Sequence, residues 1–435
     1  MLKQIILEGF KSFKTSVKLP LSPLTIMVGA NASGKSNAIE ALRFLSWLAQ
    51  GQKLSSIQYA VNESDKIVRG RINDLPYDHS DSFKIGCITD DEEWNYLQTE
   101  IALRNDELHI VAEELSGPAA PPPLYHIVGV AGDGGSDVQV AYNNFKRGSQ
   151  KPRITCNDQM AIFGQLESAA RFGNKHDKSK KVIPEKCRKL ATELENILFL
   201  DPVPSNMREY AFKNEKRLSG DGKNLSAILY RLWNHSNQNK EKILSFIESL
   251  PEQNIETLEF IDGPRGEVMV QLVETFGGIS KEYDASLLSD GTLRVLAIAS
   301  ALLSAPEGSL VVIEEIDNGV HPSRAKNILD RINTIAKERS LNILLSSHNP
   351  ALLDALPDSA VPHIVFCYRD PKDGSSRMIR LMDLPDYPEL VEQGGIGELM
   401  TDGVLEQFIK YHPGTEEKKQ AAIEWLESIS DGAAI

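Results

Sequence analysis

Hydrophobic and polar positions divide this chain into stretches of different period. Leu2 to Leu7 reads as a strand, followed by Gly9-Phe10-Lys11-Ser12-Phe13-Lys14 and a second apolar run, Leu24-Thr25-Ile26-Met27-Val28. After a glycine-bearing turn, Ala38, Ala41, Leu42, Leu45 and Leu48 take the i, i+3, i+4, i+7 spacing of a helix with one face on a core. From about Lys66 to Phe145, short strand-like runs such as Phe83 to Ile88 and Glu107 to Val111 are broken by Pro121-Pro122-Pro123 and Gly132-Asp133-Gly134-Gly135. That pattern predicts an antiparallel lobe. Residues 150–250 are more polar, with helices expected at Cys187 to Leu198 and across Asn224 to Leu250. They carry no sustained a/d heptads, so no long coiled coil is expected. From about Ile255 to Tyr368, the runs Leu310-Val311-Val312-Ile313, Ile343-Leu344-Leu345 and Ile364-Val365-Phe366 are separated by helix-length segments. Such spacing predicts a mainly parallel, helix-covered sheet.

The fold class expected is therefore α/β. The pattern divides the chain into an N-terminal lobe at 1–145, a helical insertion at 146–254, a C-terminal lobe at 255–370 and an acidic, helical-looking tail at 371–435.

Composition narrows this little: 41% of the 435 residues are hydrophobic and 25% charged, as in an ordinary globular chain. Charge matters more. The formal net charge is −14, which argues against nucleic acid binding over the whole surface, because phosphate neutralisation needs a basic face. A local patch could still serve, and Lys175-His176-Asp177-Lys178-Ser179-Lys180-Lys181, continuing to Lys186, Arg188 and Lys189, is the candidate. The plainer reading of the same stretch is a solvated loop. No apolar run is long enough to span a membrane and no secretory signal opens the chain, so a cytoplasmic location is expected. The four cysteines (Cys87, Cys156, Cys187, Cys367) form no C-x-x-C pair and read as buried thiols.

The candidate chemistry begins at Gly29-Ala30-Asn31-Ala32-Ser33-Gly34-Lys35-Ser36, which fits G-x-x-x-x-G-K-[ST] between an apolar strand and an amphipathic helix. Glycines let backbone N–H groups turn toward phosphates, and the helix N-terminus favours negative charge. The ATP-binding set is Gly29, Asn31, Ala32, Ser33, Gly34, Lys35, Ser36 and Asn37, with Lys35 reaching the β- and γ-phosphates and Ser36 binding Mg²⁺. Leu310 to Ile313 then runs into Glu314 and Glu315. Adjacent strand residues point to opposite faces, so the two acids can take different jobs: Glu314 as the Mg²⁺ partner through a water, Glu315 as the base. Taken alone, two glutamates after a strand are an ordinary solvated strand end. Their company argues otherwise. Leu288-Ser289-Asp290-Gly291-Thr292 opens another amphipathic helix before them, and Leu344-Leu345-Ser346-Ser347-His348-Asn349 ends a strand in a histidine after them.

In this order the motifs resemble the ABC-type ATPases of the SMC and RecF kind, and more closely the stand-alone bacterial ATPases grouped as AAA-family. Leu7-Glu8-Gly9-Phe10-Lys11-Ser12-Phe13, Asn318-Gly319-Val320-His321-Pro322, Leu200-Asp201-Pro202-Val203-Pro204 and Asp221-Gly222-Lys223-Asn224-Leu225 share the resemblance. It implies ATP and Mg²⁺ as cofactors, His348 as γ-phosphate sensor, and Ser289 and Gly291 touching the γ-phosphate of a second copy in a homodimer or higher homo-oligomer of ATP-sandwiched heads. Asn318 to His321 would couple the two sites. The signature is S-D-G-T rather than S-G-G-Q, and Glu314 stands where many such proteins have Asp. Gln98 is the candidate for the family's Q-loop glutamine. Two roles stay open: regulation of a separate effector protein, such as a nuclease in anti-phage defence, or a DNA-binding clamp in maintenance or repair. A transporter subunit is disfavoured by the N-terminal strand and the signature.

Overall fold

The computed structural model describes residues 1–57, 67–118, 122–130, 135–148, 150–248, 254–319, 322–384 and 387–411. The turns expected at Pro121 and at 132–134, and the tail from 412 onward, lie outside these residues.

A six-stranded sheet runs through the centre in the order β10 (Leu198–Leu200), β15 (Leu310–Ile313), β16 (Asn342–Ser346), β3 (Leu24–Val28), β17 (Ile364–Arg369) and β18 (Ser376–Arg380). The first five strands are parallel, and β18 returns antiparallel to β17. Alternation explains why these strands are apolar at nearly every position. Leu24, Ile26, Val28, Val311 and Ile313 enter the core on one face, whereas Met27, Leu310 and Val312 enter the core on the other.

The second core is closed by an eight-stranded antiparallel sheet. Its order is β2 (Val17–Pro20), β1 (Leu2–Glu8), β4 (Ser82–Thr89), β5 (Tyr96–Arg104), β6 (Glu107–Ser116), β7 (Tyr125–Gly129), β8 (Asp137–Tyr142) and β9 (Arg153–Asn157). Helix α1 (Lys35–Ala49) lies between the two sheets, with Ala38, Leu42, Leu45 and Leu48 packed among residues of both. Helix α2 (Asp177–Glu195) joins the same core through Ile183, Cys187, Leu190 and Leu194.

On the opposite face lie α3 (Leu225–His235), α4 (Asn237–Ile247), α5 (Asp290–Ser304), α6 (Pro322–Glu338) and the C-terminal α7 (Val404–Tyr411). A third sheet packs there around β13 (Glu267–Phe276), which pairs with β11 (Ala211–Phe212), β12 (Ile255–Asp262) and β14 (Ile279–Asp284).

The α/β class, the antiparallel lobe and the mainly parallel sheet are as the pattern predicts. The longest described helix has 19 residues, and no long coiled coil occurs among the described residues. Residues 146–254 are not purely helical, since they supply β9, β10 and β11. β10 is three residues long, too short to show a period. The helix expected across 224–250 breaks at Ser236, whose hydroxyl accepts from the Asn239 N–H and caps α4. All four cysteines are free and buried. Among the described residues no helix is long and apolar enough to cross a membrane.

Candidate nucleotide site

Parallel strands deliver their C-terminal ends to one edge, where α/β sheets place ligands. Here β3 ends at the glycine loop, β15 at Glu314 and Glu315, and β16 at Ser346, Ser347 and His348. These segments line a single cleft of about 310 Å³, together with Asn31, Asn37, Arg69 and Arg369.

The loop is built around two glycines that admit no side chain. Gly29 has φ +144°, and a Cβ there would stand 2.1 Å from the Cys367 carbonyl oxygen. Gly34 has φ +113°, and its Cβ would stand 2.6 Å from Ser376 Oγ. Gly34 caps α1 without any side-chain acceptor, so the first-turn N–H groups of that helix are available to an anion. Ser33 Oγ is buried and lacks a protein partner. Lys35 Nζ donates to the Gly29 and Ala30 carbonyls at 2.6 and 3.1 Å. Burial lowers its pKa from the ordinary lysine value, opposed by the charges of Asp317 and Glu315.

The loop is braced by the segment after β1. Ser12 Oγ accepts from Asn37 Nδ2 at 2.7 Å and from Ser376 Oγ at 2.8 Å. Lys11 and Arg69 both pair with Glu40 on α1. Arg369 Nε reaches across from β17 to the Ala32 carbonyl at 2.9 Å.

The two glutamates follow β15 and lie outside it, and the left-handed backbone at Glu315, not strand alternation, separates their side chains. Glu314 Oε1 accepts from Arg43 Nη2 at 2.6 Å, and burial pushes its carboxyl above the usual range, opposed by Arg43. Glu315 takes a left-handed φ of +47°, its N–H donates to Ser346 Oγ at 3.1 Å, and its Oε2 accepts from Asn318 Nδ2 at 2.5 Å. His348 Nδ1 lies 3.2 Å from Asp317 Oδ2, and the Asp317 side chain is only 6% exposed. This carboxylate orients the imidazole at the mouth of the cleft. The other Asp317 oxygen is buried without a protein partner.

No group of three or more His, Cys, Asp or Glu able to hold a metal occurs among the described residues. What the cleft offers is the Ser36 hydroxyl and the Glu314 carboxylate on one lining. That sparse oxygen set suits Mg²⁺, which keeps several waters and completes its shell with substrate phosphates. Ser36 and Glu314 are the residues that would hold it.

Every predicted residue of the loop but Gly29 lines the cleft, and Gly29 shapes it from behind; Glu314, Glu315 and His348 line it as well. Ser289 and Gly291 do not line the cleft of their own chain. Ser289 caps α5, accepting from the Thr292 N–H at 3.1 Å, and Arg208 holds the loop by donating to the Leu288 carbonyl and to Asp290. Val320 and His321 lie outside the described residues. Gln98 sits on β5 and lines a different cavity with Lys84, Glu100 and His126. The strand that runs beside β15 is β10, and Asp201 follows its last residue, Leu200. The two recurrent phrases meet there: Asp201 N–H donates to the Gly220 carbonyl and Val203 N–H to the Asp221 carbonyl, both at 2.9 Å.

Sequence reasoning missed Arg43, Arg69, Asp317 and Arg369. Only Arg43 left a signal, standing seven residues after Ser36 and hence on the same helical stripe. The basic stretch is largely committed within the chain. Lys186 pairs with Asp91, Lys189 with Asp90, Lys178 lies over the Phe145 ring, and Arg188 donates to the Glu167 carbonyl.

Comparison with known proteins adds family to geometry. A 73-residue stretch, 16% of this chain, is 37% identical to Structural maintenance of chromosomes protein 1 of Arabidopsis thaliana, covering 6% of that protein. A 45-residue stretch, 10% of this chain, is 51% identical to Chromosome partition protein Smc of Desulfitobacterium hafniense strain Y51, covering 4% of it. The chain thus spans a small fraction of the length of these relatives. A solved Smc head bound to the C-winged helix domain of ScpA aligns over 87% of this chain and 96% of its own, at 14% identity and a TM-score of 0.47. The family described as "AAA domain, putative AbiEii toxin, Type IV TA system" matches residues 24–99 and 163–354. Those two stretches cover more than half of the sequence and contain the glycine loop, Ser289, both glutamates and His348, so the chain belongs to this AAA-domain family.

Proposed function

We propose that this chain binds ATP with Mg²⁺ and hydrolyses it, two copies closing over the nucleotide. The observation that carries this reading is the convergence of the glycine loop, the twin glutamates and the histidine strand end on one cleft. Loop N–H groups, Lys35 and the α1 N-terminus bind and orient the triphosphate, and Arg69 and Arg369 add positive charge. Mg²⁺, when bound, supplies charge neutralisation on the phosphoryl oxygens. Glu315 positions the attacking water and takes its proton, and His348, fixed by Asp317, donates toward the γ-phosphate. Ser289 and Gly291 stand outside their own cleft at a helix N-terminus, which supports a role opposite the γ-phosphate held by a partner copy.

The cellular reading is regulation of a separate effector protein in anti-phage defence. The family description, a putative toxin of a toxin–antitoxin system, supports only that such a chain works with a second encoded component. The internal pairing of the lysines on α2 weighs against the DNA-clamp alternative.

Titration with a fluorescent ATP analogue tests the core of this. K35A is expected to weaken binding itself. E315Q is expected to retain binding, lose about 10²–10⁴-fold in turnover, and accumulate a nucleotide-bound dimer by light scattering. An E315Q chain with near-parental turnover refutes the assignment of Glu315.

A further inference from the structure

One pairing at the cleft is not used by the reaction outlined above. Glu314, the acid assigned to the magnesium ion, already has a cation. Arg43 Nη2 donates to its Oε1 at 2.6 Å, in a pair whose side chains are only 24% and 19% exposed. The arginine is held from several sides. Its helix places it nearly two turns beyond Ser36, facing the same way. The Phe199 ring lies under the guanidinium, 5.0 Å from its carbon to the ring centroid. Phe199 belongs to β10, level with Val312 of β15, and the Leu200 carbonyl after it accepts from the Glu314 N–H at 3.0 Å. Asp201, the next residue, is a second acid in the field of Arg43.

A guanidinium so placed is preorganised, and it is not a solvated surface partner. Glu314 lines the cleft beside Ser36, so the same carboxylate serves both the arginine and the metal ligand set. The two cations are in competition, because each lowers the value of the carboxylate to the other and they repel directly.

We propose that Arg43 is the resident counter-ion of Glu314, a positioning residue that competes with the divalent cation and thereby sets how much magnesium the nucleotide site requires. This rests on the ATP-site reading. Paired with Arg43, Glu314 is neither left as an isolated charge nor freely open to a competing cation. When the metal is held, Asp201 is the acid placed to take over the arginine.

The test uses the full chain loaded with a non-hydrolysable ATP analogue. Divalent-ion affinity is read by Mn²⁺ titration with electron paramagnetic resonance and by Mg²⁺ calorimetry. R43M is expected to lower the half-saturating concentration about tenfold, because the acid loses its competitor and gains need of a cation. R43Q, which removes the charge while leaving Glu314 intact, should move it in the same direction and carries the test if R43M does not fold. R43K keeps the charge but loses the planar guanidinium stacked on Phe199, and should fall between the parent and R43M. An unchanged or raised half-saturating concentration in R43M or R43Q overturns the proposal, as does an R43K shift equal to that of R43M. A parent chain that binds no nucleotide even at saturating Mg²⁺ overturns the ATP-site reading together with this one. Nucleotide binding with unmoved metal affinity in the variants overturns this one alone.

Discussion

Replacing Gly29 by alanine separates two costs that glycines in tight loops usually confound. At Gly29 the backbone has φ +144°, and a Cβ would meet the Cys367 carbonyl oxygen at 2.1 Å, about 1.3 Å inside ordinary contact at 3.4 Å. That oxygen yields poorly, because Cys367 pairs with Met378 of β18 and directly follows Phe366, which pairs with Val28 of β3. The loop must move instead, by about an ångström, and misplacement on that scale costs on the order of 10²-fold in a positioned site. Gly51 provides the comparison. It has φ +72° just beyond α1, and its Cβ would meet nothing within 4 Å. Both substitutions incur the left-handed backbone penalty, roughly 1–3 kcal/mol of stability. Only G29A also disturbs the phosphate cradle. Urea denaturation should show both losses, whereas fluorescent-nucleotide titration should show weakened binding, by about 10²-fold, in G29A alone. Refutation would be a G29A chain binding ATP within about threefold of the parent, or a G51A chain losing affinity equally.

Other expectations follow from single contacts. D317N keeps the size of the residue that orients His348 but removes its charge; turnover should fall about 10–100-fold in single-turnover assays, with ATP affinity little changed. Glu113 is fully buried, accepting from Tyr125 Oη at 2.8 Å and from the Ile162 and Phe163 N–H groups, and burial pushes its pKa up to about 7. The folded chain therefore holds this proton more tightly than the unfolded one. Its contribution to stability is complete below about pH 4.5 and is lost as pH rises through about 7, on the order of 3 kcal/mol. Denaturation midpoints measured from pH 5 to 8 should fall in the parent and fall less in E113Q. Equal slopes would remove Glu113 as their source.

Much of the site could be read from sequence because its parts are local. The glycine loop declares itself within eight positions, and the strands that carry it are buried on both faces, so they appear as unbroken apolar runs. The twin acids and the histidine are legible for the same reason, each ending such a run. What escaped reading is non-local. Arg43 meets Glu314 across 271 positions and Arg369 meets Ala32 across 337, distances over which no periodicity operates. Asp317 is hidden differently, since nothing marks which of three nearby acids faces the histidine. The N-terminal part of α2 was obscured by composition. Its adjacent lysines and the internal Pro184 read as loop, although Asp177 opens the helix and Ile183, Cys187, Leu190 and Leu194 bury one side of it.

The place of β3 within the central sheet bears on how the molecule is made. Its two neighbours, β16 and β17, are both encoded more than three hundred positions downstream. At about 5–20 residues per second on the ribosome, the nascent phosphate loop waits on the order of 15–60 s for a flanking strand. Until then Leu24 to Val28 is an exposed apolar edge in need of chaperone cover. A prematurely terminated product therefore carries the complete glycine motif yet has no cradle in which to hold a nucleotide.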